Sequence, residues 1–183
     1  MPLPEIVAKT ATEGLVSWPE HGRPRSLELD HASRPALATL VERNLAMRLP
    51  RTITAEQCDQ DGRFPTERYQ ELVWGGEPAG NRGGPGLHEL EGGIRMGWAT
   101  MESRAALFAL PRVGTRIQSF GATVEIARKT MIHHNWVFDL DSAELLCTSS
   151  VVNLAFDTGA RRSLEIPDEM RARMLAECHE DLR

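Results

Sequence analysis

Apolar residues along this chain recur with two different periods, and the switches between them mark out the elements. From residue 37, Leu37, Val41, Leu45, Met47 and Leu49 share odd parity, as one face of a strand requires. Leu37, Leu40, Val41 and Leu45 also fit helical spacing, with Ser33 available as a cap. A strand from about Thr39, with Pro50 as its break or edge, is the expectation adopted. Pro65 then suits a first helical position and Glu67 falls in the first turn, while Tyr69, Leu72 and Val73 recur at three- and four-residue spacing until Gly75-Gly76. So short a helix needs burial against a sheet to hold it. Residues 75–97 carry nine of the fifteen glycines, a stretch that reads equally as a lid over a site and as a flexible connection.

Four strand-like runs follow. The first covers 94–110. In the second Phe120, Ala122, Val124 and Ile126 alternate, in the third Ile132, His134, Trp136 and Phe138, and the last runs over 146–156. Turns at 111–114, 127–129 and 139–144 separate them, and Asp157-Thr158-Gly159 closes the set. Beyond Pro167, Met170, Met174 and Leu175 mark one side of an amphipathic helix. Residues 1–36 read as an N-terminal extension, 37–167 as one domain and 168–183 as a C-terminal helix.

Composition narrows the classes. A chain of 183 residues, 41% hydrophobic, suits a single domain with a real core. A net charge of -5 leaves no basic face for nucleic acid. No run approaches the roughly 18 apolar residues of a membrane span, and the N-terminus lacks the basic and apolar segments of a signal peptide. A cytoplasmic protein without membrane or nucleic-acid partners is expected. Cys58, Cys147 and Cys178 form no CxxC pair, which speaks for a reducing compartment and against a zinc or dithiol site. Phosphate-loop fingerprints and GxSxG are absent, and no cofactor or metal is expected.

Candidate chemistry gathers at Cys58-Asp59-Gln60-Asp61-Gly62-Arg63-Phe64-Pro65-Thr66-Glu67-Arg68-Tyr69, an acidic turn running into the helix start. Unpaired amides at such a start polarise a carbonyl, and carboxylates stand beside them. The plain alternative is a solvated turn closed by an Asx-type bond. A calcium loop fails on register, because Arg68 would fall where a bidentate glutamate is needed.

One helix after the first strand, followed by an antiparallel meander, is the order of the hotdog fold. Asp59-x-x-Gly62 with Tyr69 on the helix resembles the Asp-x-x-Gly-His…Tyr signature of 4-hydroxybenzoyl-CoA-type and acyl-ACP thioesterases. Residues 138–146, 157–162 and Ile166-Pro167 resemble the last hairpin and exit of those enzymes. The resemblance covers about Thr39 to Pro167. It implies an α+β hotdog fold, an antiparallel sheet wrapped around one central helix, flanked here by the N-terminal extension and the C-terminal helix. It also implies hydrolysis of an acyl-CoA or acyl-ACP thioester, and a homodimer or homotetramer whose joined sheets build the sites.

By the same resemblance Asp59 is nucleophile or general base, amides near Thr66 and Glu67 form the oxyanion hole, and Gly62, Arg63 and Tyr69 complete the substrate side. Glu67 and Glu71, on one helix face, are each a reserve base, while first-turn placement explains Glu67 and solvent exposure explains Glu71 without catalysis. His134, on the apolar parity of Ile132 and Trp136, is expected either to point toward the helix and the site or to be a satisfied core or interface histidine. His133 and Asn135 project to the other face. For CoA phosphates the candidate cations are Arg82, Arg128 and Lys129, with solvated turn cations as the plain alternative for each. Asp61 and Arg63 stand where the plant-type acyl-ACP enzymes have Asn and His; Arg63 cannot act as a base and would pair with a neighbouring aspartate or grip a phosphate or carboxylate. A non-catalytic acyl-thioester binder of the same fold is therefore the alternative, and thioester hydration or dehydration a third reading.

Overall fold

The computed structural model describes residues 33–79 and 87–183. Its first element corrects the strand expected from Thr39: Leu37–Glu42 is a helix, α1. The odd-parity residues do not share a buried face, for Val41 is 57% and Leu49 45% exposed, while Leu40 and Leu45 are buried. Asn44 ends the helix at φ 54, a left-handed conformation that asparagine tolerates, and Leu45 N–H donates to Leu40 O at 2.9 Å. Ser33 does not cap it; its hydroxyl donates to Leu182 O instead. Strand character survives only in the isolated bridges Ala46–Phe120 and Arg48–Pro78.

Seven strands form one antiparallel sheet among the described residues. They are β1 Arg51–Thr52, β2 His88–Glu89, β3 Arg95–Leu107, β4 Arg116–Ile126, β5 Thr130–Asp139, β6 Leu145–Asp157 and β7 Arg162–Ser163. The order is β1-β4-β5-β6-β3-β2, with β7 paired to β6. The long strands β3 to β6 are the four runs seen in the sequence. Register shifts at 100/102 on β3 and 123/125 on β4 mark bulges that bend the sheet.

β5 is covered on both faces, and the two coverings differ. On one face Ile132, Trp136 and Phe138 pack with Phe120, Val124, Leu40, Leu45 and Leu182, so α1 and the C-terminal end close this side. On the other, Val137 packs with Ile117, Cys147, Phe64, Leu72 and Val73. The last two belong to α2, Tyr69–Trp74, the central helix. A 3-10 turn, Thr66–Arg68, precedes it, and Pro65 stands just before that turn rather than inside it. The chain leaves α2 at Gly75 in an extended conformation that only glycine fits, since a Cβ there would lie 2.4 Å from Glu71 O.

The C-terminal helix, α3, spans Asp168–Ala176, with Asp168 and Glu169 complementing the dipole in its first turn and Arg173 in its last. Met170 and Met174 pack on Met96, Ile126 and Met131 as their spacing suggests, while Leu175 is 39% exposed. No described helix is long and apolar enough to cross a membrane.

Candidate active site

The acidic turn is built around its own first carboxylate. Asp59 Oδ1 accepts the N–H groups of Asp61 and Arg63, both at 2.9 Å, and Asp59 N–H donates to Arg63 O at 2.8 Å. Gly62 supplies φ 70, which an L side chain rarely adopts. Two backbone bonds then stitch the turn to the loop after β3, Phe64 N–H to Pro111 O at 2.9 Å and Val113 N–H to Gly62 O at 3.1 Å. Phe64 is fully buried and anchors this corner in the core under α2. The start of the helical segment is thereby fixed against the end of β3.

An open groove of about 320 Å³ lies at that junction, lined by Arg63, Thr66, Leu107, Phe108, Ala109, Leu110 and Arg112. Arg63 and Thr66 were expected at a site. Phe108 and Arg112 were not: the sequence marks 111–114 only as a turn, and nothing in it shows that Arg112 bridges Arg63. The backbone amides of Thr66 and Glu67 find no acceptor among the described residues, and no side chain caps the turn. Of the residues expected at a site, Arg63 and Thr66 line the groove, and Asp59, Gly62, Glu67 and Tyr69 do not.

The carboxylates around this start differ in how far they are committed. Asp59 is exposed, with one oxygen spent on the turn. Glu67 is exposed and meets only the Thr66 hydroxyl, at 3.5 Å. Glu71 is held by Arg68 through two bonds of 2.5 and 2.6 Å, and that pairing lowers its pKa and raises that of Arg68. Glu71 is therefore the least available base. Arg68 also lies 5.6 Å over the Phe64 ring, and Tyr69, half-buried, opens α2.

His134 does not point toward α2. It lies on the opposite face, 2% exposed, its ring edge-on to Trp136 at 6.0 Å and Nδ1 3.3 Å from Leu182 O. This is the satisfied core histidine of the two alternatives. His133 shares the parity of Val137 and so faces the helix side. Burial, with a smaller contribution from His134, lowers its pKa to about 4, against an opposing hydrogen bond with Asn135. Gly121 makes room for this ring, since a Cβ there would lie 2.7 Å from His133 Nε2 and 2.4 Å from Met47 Sδ.

Of the cations expected for CoA phosphates, Arg82 lies outside the described residues. Arg128 pairs with Glu165 at 3.0 Å, and Lys129 donates to Ser163 Oγ at 3.4 Å. Both sit just before Thr130, whereas the α2 corner packs near Val137, so most of β5 separates them, about 20–25 Å at ~3.3 Å per residue. One subunit does not bring them to the groove.

Neither a protein-family model nor a curated protein matches the sequence. Solved structures do match. YbaW, a probable thioesterase from Escherichia coli, superposes with TM-score 0.55 and 10% identity over 73% of this chain and 99% of that one. The 12:0-ACP thioesterase from Umbellularia californica gives TM-score 0.60 and 16% identity over 75% of this chain, which spans about half (52%) of that longer protein. The hypothetical protein SAV2348 from Staphylococcus aureus, solved in complex with CoA, gives 0.54 and 13% over 73% of this chain and 86% of that one. Backbone likeness at such low identity speaks to architecture rather than chemistry. What it identifies is the fold: this chain has the α+β hotdog fold, one antiparallel half-barrel sheet about a short central helix, that these thioesterase structures share.

Proposed function

We propose that this chain hydrolyses an acyl thioester carried on CoA or on an acyl carrier protein, at the groove where the helical segment begins. The observation that carries the reading is that two unpaired amides, Thr66 and Glu67, and two incompletely committed carboxylates, Asp59 and Glu67, belong to the short segment that supplies Arg63 and Thr66 to the lining of an apolar-floored groove. The fold's likeness to thioesterases, and to a protein solved with CoA, supports it. A carboxylate takes a proton from water, the hydroxide adds to the thioester carbonyl, and the oxyanion rests on the two amides. Collapse breaks the C–S bond, and the leaving thiolate takes the proton back from the carboxylic acid. Asp59 is the first base of this scheme and Glu67 the second, with Gly62 and Tyr69 shaping the turn and the helix face beside it.

The site is proposed to be completed in a dimer or a higher even assembly. β2 pairs with β3 only at Arg95 and Met96, so the outer edge of β3 from Gly97 onward is unpaired among the described residues. Exposed Met101 and Phe108 lie on or just past it. A second copy pairing there would cover that edge and reach the groove.

Non-catalytic thioester binding is the second reading, favoured by the commitment of Asp59 Oδ1 to its own turn. Thiol release measured across acyl-CoA and acyl-ACP esters decides between them. Turnover that falls at least a hundredfold in Asp59→Asn or Glu67→Gln supports hydrolysis; ligand binding without release from any ester sinks it.

A further inference from the structure

We infer that Arg63 and Arg112 form the subsite for the phosphates of the thioester's carrier arm, an inference that rests on the groove being the thioester site. The two residues face each other across an isolated antiparallel bridge, which sends both side chains to the same side, about 5 Å apart at their Cα atoms. Both side chains are exposed, so water screens their repulsion and leaves the pair accessible to an anion.

Neither guanidinium has an ion pair or hydrogen bond among the described residues. Arg43, Arg68, Arg116, Arg128 and Arg183 each hold a carboxylate, whereas exposed Arg95, Arg161, Arg162 and Arg173 also have none among the described residues, so what sets Arg63 and Arg112 apart is their pairing beside one groove. Asp59, Asp61 and Glu67 are close in sequence to Arg63, yet none comes within ion-pair distance of it. A third cation stands at the rim, for the Arg34 guanidinium lies 4.3 Å over the Phe108 ring. The floor beneath is Leu107 to Leu110. Positive forks above an apolar floor fit an anion tethered to an amphipathic arm.

Phosphate suits this arrangement better than an acyl-chain carboxylate. Two forks can share the several oxygens of a phosphate or diphosphate, and a carboxylate saturates one fork. The groove is also open to solvent, as a carrier arm needs and an acyl tail does not.

The test is calorimetric titration of the full chain with CoA, 4'-phosphopantetheine and pantetheine, for the wild type, the double variant Arg63→Gln/Arg112→Gln, and Arg116→Gln as a distant control. CoA and 4'-phosphopantetheine should bind the double variant roughly tenfold more weakly, with pantetheine and the control unchanged. Equal CoA affinity in wild type and double variant overturns the inference, as does no CoA binding by the wild type. An equal loss for pantetheine, or a loss confined to esters whose acyl group bears a carboxylate, also overturns it. Thiol release from pantetheine esters, run in parallel, reports on hydrolysis separately: release with unchanged CoA affinity refutes the subsite alone, and fork-dependent CoA binding without release refutes hydrolysis alone.

Discussion

Asp59 serves the turn and, as proposed, the reaction, and two substitutions at this one position separate the roles. Asp59→Ala removes the acceptor of two backbone N–H groups, those of Asp61 and Arg63. Each bond is worth about 1 kcal/mol net, and water replaces part of it at an exposed site, so the loss should be about 1–2 kcal/mol, similar to deleting a helix cap. For a chain of this size that lowers Tm by roughly 2–8 °C. Asp59→Asn keeps an oxygen in the same place and loses only the charge, so its Tm should stay within about 2 °C of wild type. Activity should divide differently: without a carboxylate to take the water's proton, both variants should lose roughly 10²–10⁴ in kcat. The assays are thermal denaturation by circular dichroism and thiol release from the best ester. A stable Asp59→Asn protein that hydrolyses at the wild-type rate would refute the catalytic role and leave Asp59 as a brace, with Glu67 as the remaining base.

Gly121→Ala should destabilise the fold by about 1–3 kcal/mol in urea titration, because its Cβ would press on Met47 and His133; a change under about 0.5 kcal/mol would show that both side chains step aside freely. His133 has a folded pKa of about 4 against about 6.5 unfolded, so its contribution is complete above pH ~6.5 and is lost as pH falls toward 4, where the unfolded chain takes the proton first. The wild type should therefore lose more stability than His133→Gln between pH 7 and 4.5, and parallel losses would contradict this. Cys147 is buried with its thiol pushed up to about 12, so a thiol reagent should label Cys58 in the native protein and reach Cys147 only with unfolding, as peptide mapping would show.

The strands β4 to β6 and the end of α2 were legible because local signals agreed: strict alternation between turn residues, and Gly75 after a short apolar recurrence; the start of α2 was not, since Pro65 marks the 3-10 turn before it. Residues 37–49 were not, because they satisfy both periods. What selects the helix is tertiary, the burial of Leu40 and Leu45 against Phe120, Trp136 and Leu182.

That both alternatives stayed open for His134 has a related cause. Parity tells which residues of β5 share a face but not which face receives the central helix, and a strand covered on both sides gives no exposed face to decide it. The bulkier apolar set, Ile132, Trp136 and Phe138, belongs to the side closed by α1. The side that receives α2 carries His133, Asn135, Ser119 and Ser149 alongside Val137. Large apolar residues fill a dry core layer, so the side on which they gather is the one closed by α1 and the C-terminal end, and the more polar set marks the side of α2. The same reasoning applies to Arg63 and Arg112, 49 positions apart. Sequence shows two solvated turn cations, and only the bridge between their backbones shows that they stand side by side, which is the placement the proposed subsite rests on.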